Sequence, residues 1–312
     1  MAPSRQGMVP CPSGRQFHIS HGEQRATIVE VGGGIREYVD GERDVLHPYP
    51  LDAMSDGAHG APLIPWPNRV ADGRYSFEGN DYQLALTEPE KQNAIHGLLR
   101  WRNWNRLDRS AERVVVGTRL HPLTGWPFLL DVSIAYELGD EGLSVETRAT
   151  NIGDRTCPFA CGQHPYISPG EGQAVDGCRL ELRAGTRVLT DPERQLPTGL
   201  EPVAGTDYDF GSPRQIGSLE LDDAFTDLER DDDGRAWGRL GCPDGRSVEL
   251  WAAQSYPVMQ VYTADTLAPE RRRRGLAVEP MTAPPNALQT GDMLVRLEPG
   301  QEHVARWGVR LV

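Results

Sequence analysis

Short runs of alternating apolar and polar residues fill most of the chain and predict β-strands. The alternation is plain in DVSIAYEL, residues 131–138, and in LSVETRAT, residues 143–150, where every second side chain would lie on one face of a sheet. Similar runs recur to the C-terminus between Gly, Pro, Asn and Asp turns. The pattern predicts an all-β protein, a large antiparallel β-sandwich forming one domain over residues 17–312, after a flexible tail of residues 1–16.

Two stretches rich in proline and glycine interrupt this pattern. Residues 60–70, GAPLIPWPNRV, contain three prolines and predict a rigid loop, because proline cannot donate a backbone hydrogen bond in a helix or a central strand. Residues 191–217 predict a long loop. The segment just before that loop, residues 178–190, predicts a pair of strands.

Composition restricts the kinds of partner. The 34 glycines and 25 prolines among 312 residues exceed the average share and fit a protein with many turns. The formal net charge of −13 argues against nucleic acid or an anionic membrane, because both require a basic surface. The charge is compatible with a small-molecule partner, and we expect a monomer or a homodimer.

The sequence also predicts a cytoplasmic location, and it predicts that the protein has no metal site. No apolar run is long enough to span a bilayer, and the N-terminal residues MAPSRQGMVPCPSG lack the apolar core of a signal peptide. Five cysteines at irregular spacing predict free thiols rather than a disulfide framework. Cys157 and Cys161 lack the second pair of ligands that a zinc site needs.

Two ionisable residues each precede a proline at the end of an apolar stretch. His164 lies in GQHPYISPG, residues 162–170, and Glu279 lies in AVEPMTAPPNAL, residues 277–288. A residue before proline is held in extended geometry, which fixes the direction of its side chain. A histidine can exchange protons near neutral pH, but a lone His-Pro is more often packed or on the surface, so both interpretations of His164 remain open.

Other polar residues are candidates for binding a ligand. Arg69 ends the proline-rich loop, where its guanidinium could bind a polar ligand or pair with a carboxylate. His96 is followed by Trp101 and Trp104, which could form the aromatic wall of a sugar site or pack in the core. In LDDAFTDL, residues 221–228, alternation directs one of the two aspartates inward and the other to solvent.

Taken together, these motifs resemble the aldose 1-epimerase (galactose mutarotase) family, and the run from His96 to Trp101 resembles a bacterial subgroup of it. The resemblance covers roughly residues 25–310 and implies a large β-sandwich of the galactose mutarotase type, a supersandwich. The motifs that carry it are Asn68-Arg69, Asn93-Ala94-Ile95-His96-Gly97, His164-Pro165-Tyr166, Leu221-Asp222 with Phe225, Gln260-Val261-Tyr262, and Glu279 with Pro284 and Asn286.

The resemblance implies a role for each candidate residue. Glu279 resembles the catalytic base of the family and His164 its catalytic acid. The residues that resemble its sugar ligands are Arg69, His96, Asp222 and, less closely, Gln260. Leu98, Pro165 and Asp223 differ from the commonest residues of the family, which leaves the preferred sugar open.

The implied reaction interconverts the α and β anomers of a free aldohexose. A base takes the proton of the C1 hydroxyl while an acid protonates the ring oxygen, and the ring opens, turns about C1–C2 and closes again. We expect a Glu279 carboxylate and a His164 imidazolium on opposite sides of the C1–O5 unit, in separate environments that keep their protonation states apart. The reaction requires no metal, nucleotide or other cofactor.

Three other functions remain open. A mutarotase or epimerase for a phosphorylated hexose would need a basic clamp, for which Arg271–Arg274 is the local candidate, although such a run also fits a solvated loop. A non-catalytic carbohydrate-binding sandwich would use Arg69 and the aromatic residues without an acid/base pair. A glycoside hydrolase would use two carboxylates, such as Asp222 and Glu279, and would leave His164 without a role.

Overall fold

A computed structural model describes residues 11–312 of the protein, so residues 1–10 of the expected tail lie outside the described residues. Residues 11–15 lead into the first strand, which begins at Gln16. Within residues 11–312 there is one single-turn α-helix, α1 (Ala287–Thr290), with two 3₁₀ helices, Pro89–Lys91 and Val175–Gly177. None of these helices has the length and apolar character that crossing a membrane demands.

Twenty-seven strands form the rest of the regular structure in the described residues. Those before residue 152 are β1 (Gln16–His21), β2 (Gln24–Val29), β3 (Ile35–Asp40), β4 (Arg43–Leu46), β5 (Pro62–Leu63), β6 (Arg69–Ala71), β7 (Arg74–Phe77), β8 (Asn80–Gln83), β9 (Asn93–Ile95), β10 (Asn105–Arg109), β11 (Arg113–Leu120), β12 (Leu130–Gly139) and β13 (Gly142–Asn151). Those after it are β14 (Cys157–Phe159), β15 (Gly162–Gln163), β16 (Tyr166–Ile167), β17 (Arg179–Leu182), β18 (Ala184–Thr190), β19 (Pro197–Pro202), β20 (Phe210–Gln215), β21 (Asp222–Leu228), β22 (Ala236–Gly241), β23 (Ser247–Ala252), β24 (Val258–Tyr262), β25 (Leu276–Met281), β26 (Val295–Leu297) and β27 (Glu302–Leu311).

Two large antiparallel sheets form a β-sandwich, which confirms the predicted fold class. The twelve-stranded sheet runs β1-β2-β3-β4-β16-β25-β24-β21-β18-β19, with β5 and β15 attached beside β25. The nine-stranded sheet runs β10-β11-β12-β13-β27-β23-β22-β17-β20. Buried side chains from both sheets join in one hydrophobic core, and three two-stranded ribbons, β6–β9, β7–β8 and β14–β26, complete the structure.

The centre of the twelve-stranded sheet is covered on both faces. All six residues of β25 are buried, whereas β12 alternates between buried and more exposed positions. Val278 of β25 packs in the sandwich core, so its neighbour Glu279 faces the opposite side of the sheet. Loops and the β6–β9 ribbon lie over that opposite side, and the candidate site is between them and the sheet.

The predictions for residues 178–217 are wrong in two respects. Strands β17 and β18, expected to form a pair, lie in different sheets, and the expected loop over residues 191–217 contains β19 and β20. Both of these strands are the last in their sheets. An edge strand tolerates proline because the missing amide faces no neighbouring strand. The prolines of this region are therefore compatible with strands, although they are typical of loops. All five cysteines are free, as expected.

Candidate active site

The twelve-stranded sheet places His164 directly opposite Glu279. Strand β25 pairs with β15 two residues before His164 and with β16 two residues after it, and both registers put Glu279 across from His164. The backbone of His164 is fixed on its other side, because its N–H donates to the Ala61 carbonyl at 3.0 Å and its carbonyl accepts from the Gly60 N–H at 2.9 Å. The pair is therefore held by backbone hydrogen bonds.

His164 and Glu279 form a buried contact. His164 Nε2 lies 3.2 Å from Glu279 Oε1, and the two side chains are only 5% and 2% exposed. The other polar atoms of the pair, His164 Nδ1 and Glu279 Oε2, have no hydrogen-bond partner among the described residues. The expectation that the acid and the base lie in separate environments is wrong, because neighbouring strands of one sheet hold them side by side.

Burial favours the uncharged forms of both groups. Burial, together with the positive charge of Arg100, lowers the pKa of His164 to about 3. Burial, together with the negative charge of Asp222, raises the pKa of Glu279 well above its usual range, and Arg69 only partly opposes this shift. The pair therefore holds one proton across the contact, with Glu279 as its favoured position. The expected state, a Glu279 carboxylate with a His164 imidazolium, also holds one proton, but the proton is then on His164.

The β6–β9 ribbon supplies Arg69. Its Nε and Nη2 donate to the two carboxylate oxygens of Glu88 at 2.9 and 3.0 Å, and its Nη1 lies 3.6 Å from Asp222 Oδ2. Arg69 thus pairs with carboxylates, as one of the two interpretations expected, and its binding of a ligand stays a prediction. Nη1 donates no hydrogen bond to any described residue. Glu88 was missed, since it belongs to a turn that no motif marks.

His96 follows the other strand of the ribbon and is held by Asn68. The His96 N–H donates to the Asn68 carbonyl at 3.0 Å, and His96 Nδ1 accepts from the Asn68 N–H at 3.2 Å. Burial and the charge of Arg100 lower the pKa of His96 well below its usual range. The neutral ring that results accepts at Nδ1 and carries its proton on Nε2, and it lies edge-on to His164 with 5.4 Å between ring centroids.

Asp222 and Gln260 are joined on the face of the sheet that carries Glu279. Gln260 is directly opposite Glu279 in the β24–β25 register, and its Nε2 donates to Asp222 Oδ1 at 2.7 Å. Gln195 Nε2 donates to Asp222 Oδ2 at 2.6 Å. Gln195 was also missed, because it comes from the stretch that the sequence predicts as a plain loop. Gln260 Oε1 has no hydrogen-bond partner among the described residues.

Asp223 points to the other face of the sheet, as alternation predicts, but not to solvent. Its side chain is 14% exposed and lies 3.5 Å from Arg187. Asp222 is 26% exposed. The expectation that one aspartate is solvated is therefore wrong, because Arg187 covers the second one.

Aromatic rings continue the site beyond His164. Tyr166 stacks on His164 with 4.9 Å between ring centroids, and His59 stacks on Tyr166 at 4.1 Å. Of the two tryptophans that could have formed a wall, Trp104 is buried in the core, whereas Trp101 is 52% exposed. Within residues 11–312, no cluster of three His, Cys, Asp or Glu side chains could hold a metal ion.

All six candidate residues thus come together from distant parts of the chain. The sequence profile described as aldose 1-epimerase matches residues 15–310. The chain belongs to the aldose 1-epimerase family. This result confirms the resemblance and makes the protein an isomerase of the epimerase class.

Similar proteins agree with membership of the aldose 1-epimerase family. The chain is 35% identical over 292 residues to the uncharacterised Escherichia coli K12 protein YihR, covering 93% of this chain and 91% of that protein. It is 30% identical over 216 residues to the aldose 1-epimerase of E. coli K12, covering 65% of this chain and 60% of that enzyme. The solved aldose epimerase homologue from C. elegans has the same fold, with a TM-score of 0.85, 20% identity and coverage of 96% and 98% of the two chains.

Proposed function

We propose that this protein interconverts the α and β anomers of an aldohexose with a free anomeric hydroxyl, by acid/base-catalysed ring opening and reclosure. The observation that supports this most directly is the buried contact of 3.2 Å between His164 and Glu279. O1 and O5 of an aldose are bonded to the same carbon, so an acid and a base lying side by side can reach both oxygens. Catalysis by positioned acids and bases suits this arrangement.

The proton transfers balance on the two side chains and the sugar. With the shared proton on His164, Glu279 takes the O1 proton, the C1=O bond forms, the C1–O5 bond breaks, and O5 takes the proton of His164. Ring opening leaves Glu279 protonated and His164 neutral, which is the state that burial favours. Rotation about C1–C2 followed by the reverse transfers yields the other anomer.

The polar residues around the pair would hold the sugar hydroxyls. Arg69 Nη1 and the Nε2–H of His96 are available donors, and Gln260 Oε1 is an available acceptor. The carboxylate of Asp222, which already accepts from Gln260 and Gln195, accepts from a sugar hydroxyl through its remaining lone pairs. Donors and acceptors on one side of the pair would fix C1 over Glu279 and O5 beside His164.

Removing either member of the pair tests the proposal. We expect Glu279→Gln and His164→Asn each to lower kcat by about 10²- to 10⁴-fold, measured by exchange NMR or polarimetry on freshly dissolved α-anomers. The double variant should have about the same kcat as the less active of the two single variants, because the effects of residues that act as a unit are not additive. Glu279→Gln should stay folded, since an amide resembles the protonated carboxyl.

The matched control is Glu171→Gln, which makes the same carboxyl-to-amide change at an exposed position and should retain wild-type rates. Full activity of either Glu279→Gln or His164→Asn on several aldoses would overturn the assignment.

A further inference from the structure

One guanidinium near the site, that of Arg100, has no partner among the described residues. Arg100 is largely covered, yet it makes no salt bridge and donates no hydrogen bond to any residue of the described chain. Burial lowers its pKa to about 10, and no neighbouring carboxylate offsets this shift. Its charge lowers the pKa values of His96 and His164, so it lies close to both imidazoles. Its Cζ is 5.7 Å from the ring centroid of Trp101.

The four-arginine run contrasts with Arg100. Arg271 pairs with Asp56, and Arg273 pairs with Asp265 at 2.8 Å as well as with a second aspartate. These two cations are paired inside the protein, so neither is left for the phosphate clamp considered from the sequence. Arg100, by contrast, has no carboxylate partner in residues 11–312.

The turn that carries Arg100 is fixed by its neighbours. The Gly32 N–H donates to the Arg102 carbonyl at 2.8 Å, and the Leu98 N–H donates to the Ile64 carbonyl at 2.7 Å. Gly32 has a φ of +86°, and a Cβ there would lie 2.6 Å from the Arg100 carbonyl, so only glycine allows this approach. Arg100 is therefore presented from a rigid backbone.

A cavity adjoins this guanidinium. Its volume is about 160 Å³, and its lining includes Arg100, Trp101 and His59. His59 stacks on Tyr166, which stacks on His164, so two stacked rings connect the lining of the cavity to His164. Since one water molecule takes about 30 Å³ of liquid volume, the cavity has room for a substituent of a few heavy atoms.

We propose that Arg100 and this cavity bind a singly charged anionic group at the C6 end of the sugar, so that the substrate class is a hexose with a C6 carboxylate or a sulfate-like group. This inference rests on the proposed function: with O5 beside His164, the next ring atom, C5, carries C6 towards Arg100. One guanidinium with a planar fork of donors matches one oxyanion. A dianionic phosphate would leave a second charge uncompensated in a protein whose formal net charge is −13.

The test compares glucose, glucuronate, glucose 6-sulfate and glucose 6-phosphate by exchange NMR. In the wild type we expect kcat/KM to be about 10- to 100-fold higher for the two monoanions than for glucose, as for charge-assisted hydrogen bonds. Arg100→Gln should reduce that ratio to within about threefold of one. The ratio is the readout because the loss of Arg100 also alters His164 and hence the rate with every sugar.

The matched control is Arg102→Gln, which removes an exposed charge two residues away and should leave the ratio unchanged. Arg100→Lys retains the charge without the fork and should give an intermediate ratio; it decides the question if Arg100→Gln fails to show a cooperative thermal transition.

Each alternative outcome is decisive. A wild type that prefers glucose or the 6-phosphate, or an unchanged ratio in Arg100→Gln, overturns the inference. If no sugar is converted but calorimetry shows that glucuronate or glucose 6-sulfate binds and that Arg100→Gln abolishes binding, the proposed function fails and the anion site stands. If the protein neither converts nor binds any of these sugars, both the proposed function and the anion site are overturned.

Discussion

Arg69 and Arg100 lie at two ends of one site and have opposite surroundings. Arg69 donates two hydrogen bonds to Glu88 and lies 3.6 Å from Asp222, so its charge is compensated within the protein. Arg100 has no such partner among the described residues. A compensated cation supports the structure of the site, whereas an uncompensated one is available for a ligand. Substitutions at Arg69 and Arg100 should therefore change the free energy of unfolding in opposite directions and by different amounts.

The largest effect is expected from Arg69→Met. It leaves the Glu88 carboxylate, 12% exposed, with only Asn93 and Lys91 as partners, and breaking a buried pair from one side costs about 3–5 kcal/mol. The free energy of unfolding, measured by urea denaturation, should fall by that amount. Arg113→Met, which breaks pairs with exposed Asp108 and Glu137, should cost at most about 1 kcal/mol; an equal loss in both variants would contradict the buried role.

Arg100→Met should change stability in the other direction. Removing a buried charge that has no partner relieves an unfavourable desolvation, so we expect the free energy of unfolding to rise by about 1 kcal/mol. Arg102→Met should stay within about 0.5 kcal/mol of the wild type. Should Arg100→Met prove destabilising, Arg100 would resemble Arg69, and the contrast between the two ends would not hold.

The pH profile of Arg100→Gln sharpens the comparison further. As pH falls through the pKa of His164, about 3 in the wild type, the pair gains a second proton and loses its base, so activity declines on the acid side. Removing the positive charge of Arg100 raises that pKa, and the acid limb of kcat should move to higher pH. On the alkaline side, activity should decline only as pH rises through the raised pKa of Glu279, where the pair loses its one proton.

The profile of kcat for glucose, recorded for wild type, Arg100→Gln and Arg102→Gln, checks this expectation. An acid limb that stays in place or moves to lower pH in Arg100→Gln would show that its charge does not act on His164.

The smallest effect is expected at the compensated end from Gln195→Ala. It removes one of the two side-chain amides that donate to the Asp222 carboxylate. A hydrogen bond to a charged group contributes about 1.5–3 kcal/mol, of which only a part is lost from sugar binding. We expect KM to rise by about 2- to 10-fold with kcat nearly unchanged. Gln173→Ala, at an exposed glutamine, is the control. A drop in kcat with unchanged KM would instead place Gln195 near the reacting atoms.

The sequence identifies the residues whose local context is distinctive and misses those defined by distant contacts. His164 and Glu279 stand out because each is an ionisable residue that directly precedes a proline after an apolar stretch. Glu88 and Gln195 have no local signature, and their importance comes from Arg69 and Asp222, which lie elsewhere in the chain. Arg100 is harder still to identify, because what distinguishes it is the lack of a partner, and a lack of contacts cannot be inferred from neighbouring letters.

Strand pairing limits sequence prediction in the same way. The alternation along β12 and β13 marks each as a strand, and the fold class follows from many such segments. The side-by-side arrangement of His164 and Glu279, however, depends on β15 and β16 pairing with β25, which no local pattern specifies. The edge strands β19 and β20 were missed because proline and glycine, usual marks of loops, are tolerated where one side of a strand is free.

The β25 register also determines which changes in chain length the site can survive. Adding or deleting one residue inside β25 before Glu279 would exchange its position with that of a neighbour and turn the carboxylate into the sandwich core. Insertions in the loops that connect the strands from β16 to β25 would leave His164 opposite Glu279 in the sheet. The loops of this sheet can therefore tolerate changes in length that β25 cannot, because the spacing of His164 and Glu279 is that of two neighbouring strands.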